Sequence, residues 1–107
     1  MEVVEAGRVV VNTTSNGKGL IIGIIGRFNL DLHKKFRKVF EEQPKRFERY
    51  AVNMQHCTGI DSAGLGMLLI LRDFTQLSRE DLRLIQCPSD VRQVLNYANF
   101  EQLFTID

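Results

Sequence analysis

The sequence predicts an α/β domain built on a mixed sheet, and three observations carry that expectation. Short runs rich in β-branched residues alternate with longer segments whose apolar residues recur every three or four positions. The first two β-like runs are separated only by turn chemistry, Thr13-Thr14-Ser15-Asn16-Gly17-Lys18-Gly19, which makes them a hairpin. Each later run is separated from the next by a helix-length segment, as a parallel crossover requires. The order is therefore strand-strand-helix-strand-helix-strand-helix, with parallel pairing after an initial antiparallel pair.

Residues 3–11 are β-branched on both sides of Gly7 and read as the first strand. The return strand, residues 20–25, is apolar at successive positions, which suits burial on both faces or a close-packed partner at Gly23; it ends at Gly26-Arg27. Asn29 or Asp31 then caps a helix whose Leu32, Phe36, Val39 and Phe40 form one stripe, with the lysines outside it. Gln43-Pro44 stops that helix, because proline has no N–H to donate and restricts the residue before it. A third strand over residues 50–54 delivers the chain to a loop at residues 58–66. The second helix spans about residues 62–77, with Leu65, Leu68, Leu69, Arg72 and Gln76 separating a buried side from a wet one. Residues 82–86 form a fourth strand, Cys87-Pro88-Ser89-Asp90 opens a helix containing Val91, Val94 and Leu95, and residues 104–106 suit a closing edge strand.

Composition narrows the function classes. At 107 residues the chain is expected to be a single domain, residues 1–107, burying about two-thirds of its unfolded surface. With 44% hydrophobic and 25% charged residues it is an ordinary globular chain, and a net charge of +1 does not point to nucleic acid. Between residues 33 and 49 seven cations stand against three acids, so this stretch is either a basic docking face or a solvated helix surface with its loop. The amino terminus carries acids where a signal peptide needs bases, and no apolar run approaches the roughly 18 residues of a membrane span. A cytoplasmic protein without membrane insertion is expected.

Catalysis finds little support. Cys57 and Cys87 have neither zinc-knuckle nor Cys-x-x-Cys spacing and read as reduced core thiols. His56 adjoins Cys57, but neighbours on a strand face opposite ways and make a poor nucleophile-base pair. Two histidines, no Gly-x-x-x-x-Gly-Lys loop and no convergent set of acids leave no catalytic residue, no metal ligand set and no cofactor site to name. A non-enzymatic role is expected.

The informative segment is Thr58-Gly59-Ile60-Asp61-Ser62-Ala63-Gly64-Leu65-Gly66, between a strand and a strongly apolar helix. The Asp61-Ser62 pair supplies capping oxygens for the first helical N–H groups, and Ser62 is either the cap or a presented hydroxyl. Ala63, Gly64 and Gly66 leave the serine side uncrowded for another protein's backbone.

With these residues in place the chain resembles a STAS domain, the fold named for sulfate transporters and anti-sigma factor antagonists, and is especially similar to the small free-standing antagonists. The resemblance rests on Ile21-Ile22-Gly23-Ile24-Ile25-Gly26-Arg27, on Asp61-Ser62-Ala63-Gly64-Leu65-Gly66, and on Asp90-Val91-Arg92-Gln93-Val94-Leu95 ahead of Phe104-Thr105-Ile106, covering nearly the whole chain. It implies a STAS fold, a mixed four- to five-stranded β-sheet flanked by α-helices. It also implies partner switching: an anti-sigma factor with serine kinase activity phosphorylates the serine after the motif aspartate, here Ser62, and a PP2C-type phosphatase reverses the modification. Thr58 is a distant alternative, and Ala63 stands where relatives often have a second hydroxyl. The partner contacts so implied are Asn29, Thr58, Asp61, Ser62, Ala63, Gly64 and Leu65; relatives commonly carry an acid in place of Asn29. STAS domains also serve as accessory subunits of transport systems, including lipid transporters, where they dock on an ATPase without phosphorylation.

Overall fold

The computed structural model describes residues 7–107. Its five strands form one sheet in sequence order: β1 Arg8–Thr13, β2 Gly19–Phe28, β3 Arg49–Ile60, β4 Leu82–Ile85 and β5 Thr105–Ile106. β1 is antiparallel to β2, and every later pair is parallel. The helices α1 His33–Glu41, α2 Ser62–Thr75 and α3 Ser89–Tyr97 occupy the three crossovers. The α/β order and the mixed pairing are those the sequence predicts.

The hairpin closes as its residues dictate. Thr14 Oγ1 accepts from the Gly19 N–H at 2.9 Å, Asn16 Oδ1 accepts from the Lys18 N–H at 2.9 Å, and Gly17 takes a positive φ of 73°. β1 runs on to Thr13, two residues past its expected end; residues 3–6 of the expected first strand lie outside the described residues.

One face of the sheet carries the core. Leu20, Ile22 and Ile24 of β2, Tyr50, Val52 and Met54 of β3, and Leu82 and Leu84 of β4 are buried, while the alternate residues Ile21, Gly23 and Ile25 are only half-buried. Sequential strand order with crossovers of one hand places all three helices on the same side. Burial of β2 on both faces is therefore corrected to burial on one, and the other expectation holds: a Cβ at Gly23 would lie 2.8 Å from Val10 Cγ2. Gly23 exists to admit its neighbour's valine.

The helices contribute Leu32, Phe36 and Phe40, then Met67, Leu68 and Leu71, then Val91 and Leu95. Phe28, Phe36, Phe40 and Phe74 pack in series, tilted or edge to face, at centroid spacings of 5.0, 5.4 and 5.0 Å, joining β2, α1 and α2. α1 ends at Glu41, and Gln43 Nε2 donates to the Val39 carbonyl at 2.8 Å, so the Gln43-Pro44 stop operates as expected. α2 stops at Thr75 because Gln76 turns left-handed with φ 57°. Gln86, at φ 53°, likewise ends β4 one residue early. The edge strand β5 is real, and the Asp107 N–H donates to the Leu84 carbonyl at 2.8 Å.

Candidate functional site

β2 and β3 end side by side, Phe28 paired with Ile60, and the site grows from that shared end. Both strands outrun the expected limits. β2 passes through Gly26, whose φ of 94° only glycine adopts without strain, and reaches Phe28. β3 passes through two register shifts against β2, with Asn53 Oδ1 accepting from the Gln55 N–H at 2.9 Å where the first one falls. Buried Met54 and buried Cys57 are thus three apart, which hides a strand from any period-two pattern. Thr58 and Gly59 belong to β3, and the expected loop over residues 58–66 shrinks to one residue, Asp61, between β3 and α2.

That residue settles the capping question. Asp61 is extended (φ −114°, ψ −172°), its Oδ1 accepts from the Gly64 N–H at 3.1 Å, and its carbonyl accepts from the Leu65 N–H at 3.0 Å. Its own N–H donates to the Phe28 carbonyl at 3.4 Å, tying the helix start to β2. Such a cap contributes about 1 kcal/mol. Ser62 is consequently the first helical residue and is exposed; among the described residues its hydroxyl has no hydrogen-bond partner.

The small residues after Ser62 divide by direction. Gly64 is buried against the sheet, and a Cβ there would lie 2.4 Å from Phe28 O and 2.7 Å from Ile60 Cγ1. It lets the helix approach the strand ends, and does not open the serine side. Gly66 has nothing within 4 Å of its Cβ position and faces outward, and Ala63 and Leu65 are half-buried. Ser62, Gly66 and Leu69 follow one another at i, i+4 and i+7 along the outer face of α2.

Asn29 lies at the same sheet end, directly after Phe28, and its Oδ1 accepts from the Asp31 N–H at 3.0 Å at the start of the 3-10 turn Leu30–Leu32 that leads into α1. The structure thus places Asn29, Asp61, Ser62, Ala63 and Leu65 just past the shared end of β2 and β3, with Thr58 exposed on β3 and Gly64 buried. Sequence reasoning missed Leu30 and Leu69, which are 69% and 42% exposed; Leu30 directly follows Asn29, and Leu69 shares the outer face of α2 with Ser62. Leu30 was findable, since it falls off the Leu32-Phe36-Phe40 stripe. Leu69 was not, because every residue of that apolar helix resembles core. Arg27 was also missed: its guanidinium lies across β3, with Nη1 3.7 Å from the Cβ position at Gly59.

Cys57 is buried and His56 exposed, on opposite faces as expected. Burial pushes the Cys57 thiol up from its ordinary range, and that of Cys87 is pushed up to about 11, again chiefly by burial. Thiols whose folded pKa is raised stabilise the fold fully below the unfolded value near 9 and lose that contribution as pH climbs through the folded one. Between about pH 9 and 11 the protein is therefore expected to lose stability, and less so in a Cys57→Ser/Cys87→Ser variant; equal alkaline slopes in urea titrations of both would refute this. No group of three or more His, Cys, Asp or Glu side chains suited to a metal occurs among the described residues. No helix among them is long and apolar enough to cross a membrane.

This two-layer fold with a serine at the start of the second helix is the architecture of a recognised class. The STAS domain model matches residues 11–107, and the chain belongs to the STAS domain family. It is 40% identical over 93 residues to a STAS-domain containing protein of Pseudomonas aeruginosa (strain UCBPP-PA14), covering 87% of this chain and 92% of that one. In solved structures the fold is similar to that of a putative anti-sigma factor antagonist of Thermotoga maritima, with a TM-score of 0.76 and 18% identity, covering 92% of this chain and 84% of that one. An anti-sigma factor antagonist of Mycobacterium paratuberculosis superposes with a TM-score of 0.72 at 12% identity over 94% of this chain and 85% of its own. The antagonist SpoIIAA in its unphosphorylated form gives 0.61 at 13% identity, over 84% and 83%. At these identities the likeness is one of fold.

Proposed function

We propose that this protein is an anti-sigma factor antagonist that works in the cytoplasm by partner switching, with Ser62 as the switch. In this reading the unmodified chain binds an anti-sigma factor with serine kinase activity and so frees a sigma factor. Phosphorylation of Ser62 then releases the complex, and a PP2C-type phosphatase hydrolyses the phosphoserine to restore binding. The observation that carries the reading is the division of labour at the start of α2, where Asp61 caps the helix and leaves the Ser62 hydroxyl exposed and unengaged. A serine needed as a cap would be unavailable to a kinase. This one is not needed.

Charge arithmetic supports a switch at this place. A phosphate brings about −1.5 to −2 charges, which a helix amino terminus favours by roughly 0.3–1 kcal/mol, so the modified domain stays folded. Covering the same group with a partner that offers no counter-charge costs on the order of several kcal/mol, and every 1.4 kcal/mol is about tenfold in affinity. The interface loses far more than the helix gains. The exposed Leu30, one residue after Asn29, and Leu69, on the outer face of α2, offer a partner apolar surface.

The test is incubation of the protein with ATP and each candidate anti-sigma kinase of its host, followed by peptide mapping of phosphate by mass spectrometry. One phosphate on Ser62, and none on Thr58, is expected. Absence of modification at Ser62 with every kinase would sink the switch, and a pull-down that returned a transporter ATPase would favour the accessory-subunit role instead.

A further inference from the structure

Charge in this molecule is divided along the sheet. From Gly7 to Glu42 the chain carries Arg8, Lys18, Arg27 and the four cations of α1 against three acids, Asp31, Glu41 and Glu42. From Arg79 to Asp107 three arginines face Glu80, Asp81, Asp90, Glu101 and Asp107. Because the strands lie in sequence order, these two stretches occupy opposite ends of the sheet. Lys35 Nζ, 3.4 Å from the Gly7 carbonyl, ties α1 to the β1 edge and makes β1, β2 and α1 one basic unit.

Within that unit α1 is charged against its own stability. A helix favours acids in its first turn and bases in its last; Lys38 in the last turn of α1 obeys this, but α1 opens on His33-Lys34-Lys35 with no acid in its own first turn, the one nearby acid being Asp31 in the preceding 3-10 turn. Lys34 and Lys38 are like charges at i, i+4, which repel. Arg37 is paired with Glu41 at 2.6 Å, but Lys34 and Lys38 make no ion pair or hydrogen bond among the described residues. Together with His33, Arg37, Glu41 and Glu42 they line a shallow groove of about 300 Å3 on the outer face of the helix. Its cationic end is the end nearer the switch, since α1 begins one 3-10 turn after Asn29, and Asn29 follows the residue whose carbonyl holds Asp61.

We infer that the α1 groove is an electrostatic docking surface for an acidic segment of the protein that reads Ser62. Charges that cost helix stability are explained by a partner of opposite sign. The inference rests on the reading of Ser62 as a switch and adds the sign of the partner to it. It also sharpens the switch: a phosphate on Ser62 adds negative charge at the strand end from which α1 starts and so opposes binding of an acidic segment, an effect that salt screens over about 8 Å at physiological ionic strength. The acidic end of a second copy is the competing occupant. It is disfavoured because the cationic start of α1 follows the 3-10 turn that leaves the strand end holding Asp61.

Lys34→Glu tests this in the full chain, because it should move stability and recognition in opposite directions. The new acid suits the helix start and pairs with Lys38 at i, i+4, so the melting temperature should hold or rise. Association with the anti-sigma factor should slow about tenfold at low salt and converge on the wild-type rate at high salt. Independently of any anti-sigma factor, deca-glutamate peptide titrated into the wild-type protein should shift backbone amide resonances of α1 and its β1–β2 neighbours, and Lys34→Glu/Lys38→Glu should abolish those shifts. An unchanged association rate in Lys34→Glu, while Ser62→Asp still weakens the complex, overturns the docking surface and leaves the switch standing. Amide shifts scattered over the whole surface overturn it too, as does self-association of the wild-type chain that Lys34→Glu removes.

Discussion

Gly64→Ala should lower the melting temperature by on the order of 10 °C, whereas Gly66→Ala, two positions along the same helix, should leave it unchanged or raise it. At Gly64 the added methyl would stand 2.4 Å from the Phe28 carbonyl oxygen and 2.7 Å from Ile60 Cγ1. The first of these is backbone in a paired strand and cannot step aside, so α2 must lift off the sheet. Overpacking of this kind costs about 1–3 kcal/mol, and for a domain of this size each kcal/mol corresponds to roughly 4–8 °C. At Gly66 the methyl enters open space, and replacing a mid-helix glycine by alanine gains roughly 0.5–1 kcal/mol. Thermal and urea denaturation of the two variants measure the contrast. Similar melting temperatures would mean that the approach of α2 to Phe28 is looser than described. Because Asp61 N–H binds the same Phe28 carbonyl, Gly64→Ala should also disturb the start of α2 and weaken partner binding.

Ser62→Asp should reduce affinity for the anti-sigma factor by on the order of 100-fold, about 2.7 kcal/mol, without loss of fold. Aspartate places one charge where phosphoserine places nearly two, so true phosphorylation should act more strongly. An acid at the first position of α2 is favoured by the helix dipole, and the melting temperature should therefore hold or rise slightly. Ser62→Ala removes a hydroxyl that makes no cap, and should bind normally while resisting release by ATP and kinase. Calorimetric binding curves and melting curves on the same preparations separate the two effects. Equal affinity of Ser62→Asp and wild type would contradict the switch, as would a Ser62→Ala variant still released by ATP.

Both predictions depend on details of α2 that differ in how readable they were. That a serine stands at a helix start after an aspartate is plain in Asp61-Ser62, because capping chemistry acts within four residues. Which of the two caps is not plain, since either oxygen reaches a helical N–H; the answer came from Phe28, which holds the Asp61 backbone extended from a strand more than thirty positions earlier. Gly64 and Gly66 look alike in the chain, and only the neighbouring strand ends make one a packing requirement and the other a surface position. Leu68 and Leu69 are likewise adjacent and identical, yet one is in the core and the other is 42% exposed.

The same division runs through the whole fold. Periodicity and turn chemistry by themselves determined the element types, their order, the hairpin turn within residues 13–19 and the Leu32-Phe36-Val39-Phe40 stripe, because each depends on residues within a few positions of one another, and the equally local Asp61–Gly66 motif carried the family resemblance. The tertiary structure decided how far β2 and β3 extend, which face of the sheet the helices cover, and which residues surround Ser62. Those outcomes depend on ladder hydrogen bonds and packing between segments distant in sequence, and at the two register shifts of β3 such pairing holds the strand where its alternating pattern fails.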